Sequence, residues 1–280
     1  MNAGSDSRVW FITGATSGIG KSMALAVLEM GERVAVTARD AARLDGVFQN
    51  SDNVLPLSLE VADADQCQRA VAETLRAFGR FDVLVNNAGH GMIGAVEEVS
   101  DAEAKLVFES NFFGLLNMVR AVLPTFRSAK SGYIVNIGSV GGICSRAGMG
   151  LYSATKFAVE AITESLAMEL EPLGIGAMVV EPGPFRTDFL GRSMFQSEIM
   201  VDAYNETAGV WRNAIAGRDG TQQGDPDKAA RAIIEAVNAP NPPLHFVLGN
   251  PAMEMAKDKL DALSAEIERW RDLSAATDFD

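Results

Sequence analysis

Apolar positions along this chain keep two different periods. Short runs rich in β-branched residues, at 9–13, 33–38, 54–59, 83–86, 133–137 and 177–181, are apolar almost without interruption. Runs of that length and continuity predict strands covered on both faces, as in a parallel sheet. A later run, 245–248, adds an edge strand. Between the runs the spacing turns helical. Met23, Ala24, Val27 and Leu28 share one face of a helix over 20–30, and 65–78 forms the next. A long helix starts at Ser100, a capping residue followed by Asp101 and Glu103, and runs past Pro124. Another covers 151–173 and stops at Gly174. This alternation predicts the α/β class: a doubly wound parallel sheet of Rossmann type, joined by right-handed crossovers.

The alternation ends at Pro182. Residues 183–224 carry Gly, Pro and large apolar side chains, among them Phe185, Phe189, Leu190, Met194, Phe195 and Trp211. They are read as a helical insertion over the site, serving as a substrate lid, as core and subunit interface, or as both. A helix follows from about Pro226, then a polar C-terminal helix over about 252–273. No linker, charge block or internal repeat divides the 280 residues, so one domain over 1–280 is expected.

Composition narrows the function. The chain is 48% hydrophobic, enough for a sizeable core. Its net charge of -13 argues against nucleic acid, whose phosphates need a basic surface. Cys67 and Cys144 form neither a CxxC pair nor a Cys/His cluster, so neither a metal site nor a disulfide framework is expected. Residues 1–8 lack the apolar core of a signal peptide, and no apolar run approaches the ~18 residues that span a bilayer. A cytoplasmic protein without membrane contact is expected.

The first candidate site is the turn Thr13-Gly14-Ala15-Thr16-Ser17-Gly18-Ile19-Gly20, directly after the first strand. Glycines there let the chain reverse, let backbone approach a pyrophosphate, and let the helix pack close to the strand. N–H groups at the helix start then meet negative phosphate. A glycine-rich turn with no ligand is the bland alternative, and its place after the first strand argues against that. The second strand ends Thr37-Ala38-Arg39, with no carboxylate to bind a ribose 2′-hydroxyl and repel a 2′-phosphate. That favours NADP(H) over NAD(H). The adjacent Asp40 and the reading of Arg39 as a plain surface residue keep the choice open.

The second candidate site joins Tyr152 and Lys156, four residues apart and one turn apart on one helix face. Ser139 follows the fifth strand and falls on the same sheet edge as the glycine turn. Hydride transfer to a carbonyl leaves an alkoxide that needs a proton. A phenol can supply it, but its ordinary pKa of ~10 is high for exchange near neutral pH. A neighbouring ammonium is expected to lower it. Ser139 would hydrogen-bond the substrate oxygen, and Lys156 would also reach the nicotinamide ribose.

Six motifs stand in one order: TGATSGIG at 13–20, NNAG at 86–89, NFFG at 111–114, IGS ending at Ser139, YSATK at 152–156 and EPGPFRT at 181–187. Over about 9–187 the chain resembles the single-domain branch of the short-chain dehydrogenase/reductase family. The resemblance implies an oxidoreductase interconverting a ketone or aldehyde and an alcohol. Ser139 would polarise the carbonyl, Tyr152 would be the general acid or base, and Lys156 would tune it. Asn111 would kink the long helix and hold a water that completes a proton path through Lys156. Gly14, Thr16, Ser17, Gly18, Ile19 and Gly20 would cradle phosphate, with Arg39 at the 2′-phosphate. Asn87, Ala88 and Gly89 would line the adenosine-ribose side, and Pro182, Gly183 and Thr187 the nicotinamide end. Glu60-Val61 stands where relatives usually carry Asp-Val beside the adenine. A homodimer or homotetramer is implied, through the long helices at 100–128 and 151–173, with Phe108, Phe112, Leu115 and Phe157 as seam candidates.

Three other groups carry less. His90 and His245 receive no role, and Cys144 is read as a neutral packing thiol. The expected partner is a medium-sized, apolar carbonyl or alcohol compound. A non-catalytic NADP(H)-binding sensor is the second reading, against which the full Asn111/Ser139/Tyr152/Lys156 set argues. A nucleotide-sugar epimerase or dehydratase ranks third, since such relatives carry a longer C-terminal domain and another glycine spacing.

Overall fold

The computed structural model describes residues 7–48 and 51–279. The first half alternates as the pattern requires. β1 (Val9–Ile12), α1 (Gly18–Glu29), β2 (Arg33–Ala38), β3 (Val54–Ser58), α2 (Ala64–Phe78) and β4 (Val83–Asn86) follow in order. A short β5 (Gly91–Ile93) comes next, then α3 (Asp101–Phe108), a π turn (Glu109–Phe113) and α4 (Gly114–Ala129). β6 (Gly132–Ile137), α5 (Gly150–Leu170) and β7 (Ile175–Pro182) complete the regular part. Beyond it lie β8 (Met194–Gln196), α6 (Ala208–Ala216), α7 (Pro226–Val237), β9 (His245–Leu248), α8 (Asn250–Arg269) and α9 (Arg271–Ala275).

Seven strands form one parallel sheet in the order β3-β2-β1-β4-β6-β7-β9, a Rossmann-type arrangement with the late strand at the edge. Strand residues alternate between two cores. Trp10, Ile12, Val34, Val36, Val83 and Val85 point to the side covered by α1 and α7. Val9, Phe11, Ala35, Leu84, Ile134 and Val179 point to the side of α2, α4 and α5. Both faces are apolar, which is why the strands read as unbroken runs.

Local signals explain the helix bounds. Ser100 and Glu103 form a reciprocal capping box at the start of α3. Asp63 caps α2 and Asp225 caps α7, where Pro226 occupies the first turn. Pro124 sits inside α4 without ending it. Its face is exposed, so water can satisfy the carbonyl it frees. Residues 101–129 together are long and apolar enough to cross a membrane by length and composition. In the fold they serve as a core helix, with Val107, Leu115, Met118, Val122 and Phe126 buried.

Two expectations need correction. Leu115, a seam candidate, is buried in the core of the sheet rather than offered outward; Phe157 is exposed, and Phe108 and Phe112 are partly covered. The stretch 183–224 is helical only over α6 and a 3-10 turn at Asp202–Tyr204. Its other element is β8, which pairs in parallel with β5 as Gly91↔Met194, Met92↔Phe195 and Ile93↔Gln196. The C-terminal helix packs only through its first turns, where Ala252 and Ala256 are buried, and carries Leu260, Leu263, Ile267 and Trp270 uncovered.

Two carboxylates, Glu98 and Glu103, anchor this overlying segment. Glu98 has no exposed surface; it accepts the N–H groups of Val201 and Ala95 and pairs with Arg212 on α6. Burial pushes its pKa up, but those N–H groups and the guanidinium outweigh it and hold the carboxyl below the usual range. Glu103 accepts the N–H of Glu198 at 3.0 Å. The charge on Glu98 therefore holds the segment above the ordinary carboxylate pKa of 4.5, and the hold is lost in more acidic solution as Glu98 protonates. Glu98→Gln keeps the shape and removes the charge. Charge-assisted hydrogen bonds contribute ~1.5–3 kcal/mol, so amide exchange over 194–216 should accelerate about tenfold or more while β1 and β4 stay protected. Unchanged exchange there would show that Glu98 does not hold the segment.

Candidate active site

The carboxyl ends of β1, β4, β6 and β7 open into one cavity of about 1100 Å³. All residues assigned to the site by sequence line it except Gly20 and Asn111. The glycine turn shapes one end. Gly14 and Gly18 take φ of 67° and 59°, a region that side chains with Cβ rarely adopt. Gly20 packs instead: a Cβ there would stand 2.3 Å from Asn87 Nδ2. Asn87 Nδ2 donates to the carbonyls of Thr13 and Gly14, both at 2.9 Å, and Thr13 Oγ1 accepts the N–H groups of Asn87 and Ala88. The Asn87 amide thus braces the turn, while its chain lines the cleft.

The turn is built for an anion. Ser17, at the N-terminus of α1, makes no side-chain cap, and the first turn carries no acid. Its uncapped N–H groups and the helix dipole favour negative charge. Arg192, from the overlying segment, reaches Ser17 Oγ at 3.2 Å and Asp188 at 3.0 Å. Thr187 lies across from Gly18, where an added Cβ would meet it at 3.2 Å. Sequence reading passed over Arg192, since it lies in a segment without periodic pattern.

At the end of β2, Arg39 lines the cavity and so does Arg43, which the sequence reading did not assign. Asp40 is not part of the lining. Its carboxylate accepts the N–H of Ala42 and caps the short turn Ala41–Leu44. Further along, Glu60 accepts from Ala62 N–H at 3.3 Å, and Asn117 Nδ2 holds the Val61 carbonyl at 3.0 Å.

Tyr152 and Lys156 stand in the first turns of α5, both nearly fully buried. Ser139 stands beside the Tyr152 hydroxyl, near enough to lower its pKa, and its Oγ accepts the N–H of Gly141 at 3.0 Å. Phe189 packs on the Tyr152 ring at 5.7 Å between centroids. Lys156 Nζ donates to the Ile137 carbonyl at 2.8 Å and lies 5.9 Å from the Tyr152 ring centroid. Burial pushes the Tyr152 pKa up to about 12, against a smaller lowering by Ser139. Burial also pulls Lys156 down to about 8, opposed by Glu160. The sequence expectation that the ammonium lowers the phenol is thus corrected for the protein alone: burial dominates, and the phenol keeps its proton.

Asn111 sits on the π turn, 2% exposed. Its Nδ2 donates to the His90 carbonyl at 2.8 Å and Thr155 Oγ1 at 3.1 Å, and its Oδ1 accepts the His90 N–H at 2.9 Å. It braces the NNAG loop against α5 and makes no bond to Lys156. The long helix is carried through by this turn rather than broken. The His90 ring lies edge-on to Phe195, and burial lowers its pKa, so it is neutral. Cys144 lines the cavity with its pKa raised by burial, as suits an inert thiol.

Behind the Ser139 loop lies a cluster that sequence reading missed. Glu160 on α5, Glu181 on β7 and His245 on β9 place ligand-type atoms within 4.8 Å of one another. His245 Nδ1 is 2.8 Å from Glu181 and 3.5 Å from Glu160. Burial and the Glu181 charge raise Glu160 to about 9, and burial raises Glu181. The distances would suit a metal ion, and a proton held between the carboxyls balances the same charge. A Cβ on Gly138 or Gly142 would stand 2.9 Å or 2.7 Å from Glu160 Oε1, so both glycines let the catalytic-type loop pass over this carboxyl.

Known proteins resemble this chain in sequence and fold. A model of the short chain dehydrogenase family matches residues 8–197. A short-chain dehydrogenase from Streptomyces avermitilis is 41% identical with a TM-score of 0.91, covering 98% of this chain and 99% of that one. Oxidoreductase BOA17 of Botryotinia fuckeliana is 35% identical, over 97% of this chain and 99% of its own length. The 3-ketodihydrosphingosine reductase of Bacteroides thetaiotaomicron is 36% identical, over 86% and 88%. A short chain dehydrogenase from Burkholderia cenocepacia J2315 in complex with NADP is 25% identical, TM-score 0.74, covering 95% and 98%. A 3-ketoacyl-(acyl-carrier-protein) reductase from Brucella melitensis complexed with NADH is 27% identical, TM-score 0.72, covering 87% and 97%. The matched stretch takes in the glycine turn, Ser139, Tyr152 and Lys156, and by it this chain belongs to the short-chain dehydrogenase family.

Proposed function

We propose that this protein is an NADP(H)-dependent carbonyl reductase or alcohol dehydrogenase acting on a medium-sized ketone, aldehyde or alcohol with an apolar body. One observation carries the reading: a protonated, buried phenol beside Ser139 faces the same cavity as an uncapped, glycine-rich helix start. The cavity fits a nicotinamide dinucleotide on this chain's own features. Gly14 and Gly18 leave room for backbone to approach a pyrophosphate, and the N–H groups of α1 wait for an anion. Solved relatives hold NADP in one case and NADH in another.

Bound there, a reduced nicotinamide supplies a hydride, which leaves an alkoxide at the former carbonyl oxygen. Tyr152 gives its proton to that oxygen, and Ser139 Oγ hydrogen-bonds the same atom. Lys156 then favours the phenolate that remains, and its ammonium would bind the nicotinamide ribose. Asn111 acts through His90 and Thr155 as a positioning residue for the NNAG loop and α5. The 183–224 segment covers the reacting end and excludes water, with Phe189 against Tyr152. Two free cysteines support a reducing, cytoplasmic setting.

Tyr152→Phe keeps the ring and removes the proton. Turnover on any ketone accepted from a panel should fall ~10²–10⁴-fold, with cofactor affinity nearly unchanged. Near wild-type turnover would remove Tyr152 from the chemistry. A sensor without chemistry would bind cofactor and turn over nothing in the panel.

NADP(H) is favoured by two guanidiniums at the end of β2, with Asp40 turned to capping. Arg39→Ala should weaken NADPH about tenfold or more and leave NADH nearly unchanged, in keeping with ~1.5–3 kcal/mol for a charge-assisted bond. Equal losses for the two cofactors, by fluorescence titration, would sink the assignment.

A dimer or tetramer is supported by Phe113 on the π turn and by Phe157 and Met168 on α5, all left exposed. Light scattering at micromolar concentration should give at least twice the chain mass, and a monomer would contradict the seam.

A further inference from the structure

The substrate end of the cavity has apolar walls and a cationic mouth. Met149, Leu190, Ile215 and Met255 line the walls, and the Trp211 indole closes one side. Two arginines converge on that indole. The guanidinium carbon of Arg146 lies 4.3 Å from the ring centroid and that of Arg218 lies 5.2 Å from it. Both line the cavity and both are exposed.

Neither guanidinium is neutralised. Among the described residues no carboxylate pairs with Arg146 or Arg218. Arg146 Nη2 has only the Met255 sulfur, at 3.2 Å. Acids outnumber bases 37 to 24 in this chain, so two adjacent cations without an acid run against its composition. Asp188, which lines the cavity from the overlying segment, is taken by Arg192. Stacking on an indole uses the flat face of a guanidinium and leaves its N–H edges free. It also fixes the plane of the fork, so less freedom is lost when an anion docks.

We propose that Arg146 and Arg218 form a carboxylate-binding site, and that the substrate is an oxo acid, or the matching hydroxy acid. Its apolar chain lies along the cavity wall, its carbonyl meets Tyr152 and Ser139, and its carboxylate is held at the mouth. A guanidinium edge accepts a carboxylate in a two-bond fork, and the second arginine adds charge. This rests on the reductase reading given above and sharpens it from an apolar carbonyl compound to an anionic one with an apolar spacer.

The test uses straight-chain keto acids of one length with the ketone at different positions, their methyl esters, and neutral ketones of matched size, all with saturating NADPH. The best keto acid should exceed its ester about tenfold or more in kcat/KM, as charge-assisted bonds allow. The preference should shrink at high salt and vanish in the double variant Arg146→Gln, Arg218→Gln. An ester turned over as well as its acid, or an acid preference that survives in the double variant, overturns the inference while leaving the reductase reading intact. If nothing is turned over, the reductase reading itself fails. Calorimetry of the keto acids on the NADPH-loaded protein then decides the arginine site separately. Binding that the double variant loses supports it, and no binding, or binding unchanged in the variant, overturns it.

Discussion

A buried ammonium must find an acceptor, and Lys156 finds the carbonyl of Ile137 at 2.8 Å. That bond ties the first turns of α5 to the end of β6, where the chain leaves the sheet and runs directly into Ser139. A second polar chain fixes the same pair of elements. Asn86 on β4 donates to Asn136 on β6, which donates to Thr163 on α5. With helix and strand held at both points, Tyr152 and Ser139 face one another without needing a ligand to bring them together. The same burial sets their protonation. Burial pushes the phenol up to about 12 and draws the Lys156 ammonium down to about 8, so Tyr152 carries in the free protein the proton that the reaction would consume.

The cluster behind the loop extends this dependence. Glu160 is one turn beyond Lys156 on α5, and its carboxyl packs beneath Gly138 and Gly142 on either side of Ser139. One side chain therefore faces the loop that carries the hydroxyl and acts on the charge of the lysine. His245 and Glu181 bring the edge strand β9 and the end of β7 into the same contact. The catalytic edge is thereby supported by three successive strands and by α5.

Much of this could be read from the chain alone. Strands buried on both faces announce themselves as continuous apolar runs, and even the edge strand His245–Leu248 keeps its bounds. Ser100 with Glu103 and Asp225 with Pro226 mark helix starts by chemistry that is local in sequence. What escaped reading is what depends on distant partners. β5 and β8 are three residues each, too short to show a period, and exist because they pair with one another. Arg43, Arg146, Arg192 and Arg218 look like ordinary surface arginines until the fold turns them to one cavity. Glu160 and His245 are separated by most of a lobe of chain, and no pattern links them. The phenol's protonation also escaped, because two adjacent motif residues suggest a charge effect, whereas burial, which sequence does not display, outweighs it.

The central claim is that hydride is delivered to a carbonyl within this cavity while Tyr152 supplies the proton. Deuterium placed on the transferring carbon of NADPH reports on it directly. With a ketone accepted from the panel, mass spectrometry and NMR should find one deuterium on the carbinol carbon of the alcohol, none on its hydroxyl, and a single product enantiomer from the fixed faces of Ser139 and Tyr152. Alcohol formed without deuterium at that carbon, or oxidation of the labelled cofactor with no alcohol formed, would contradict the account.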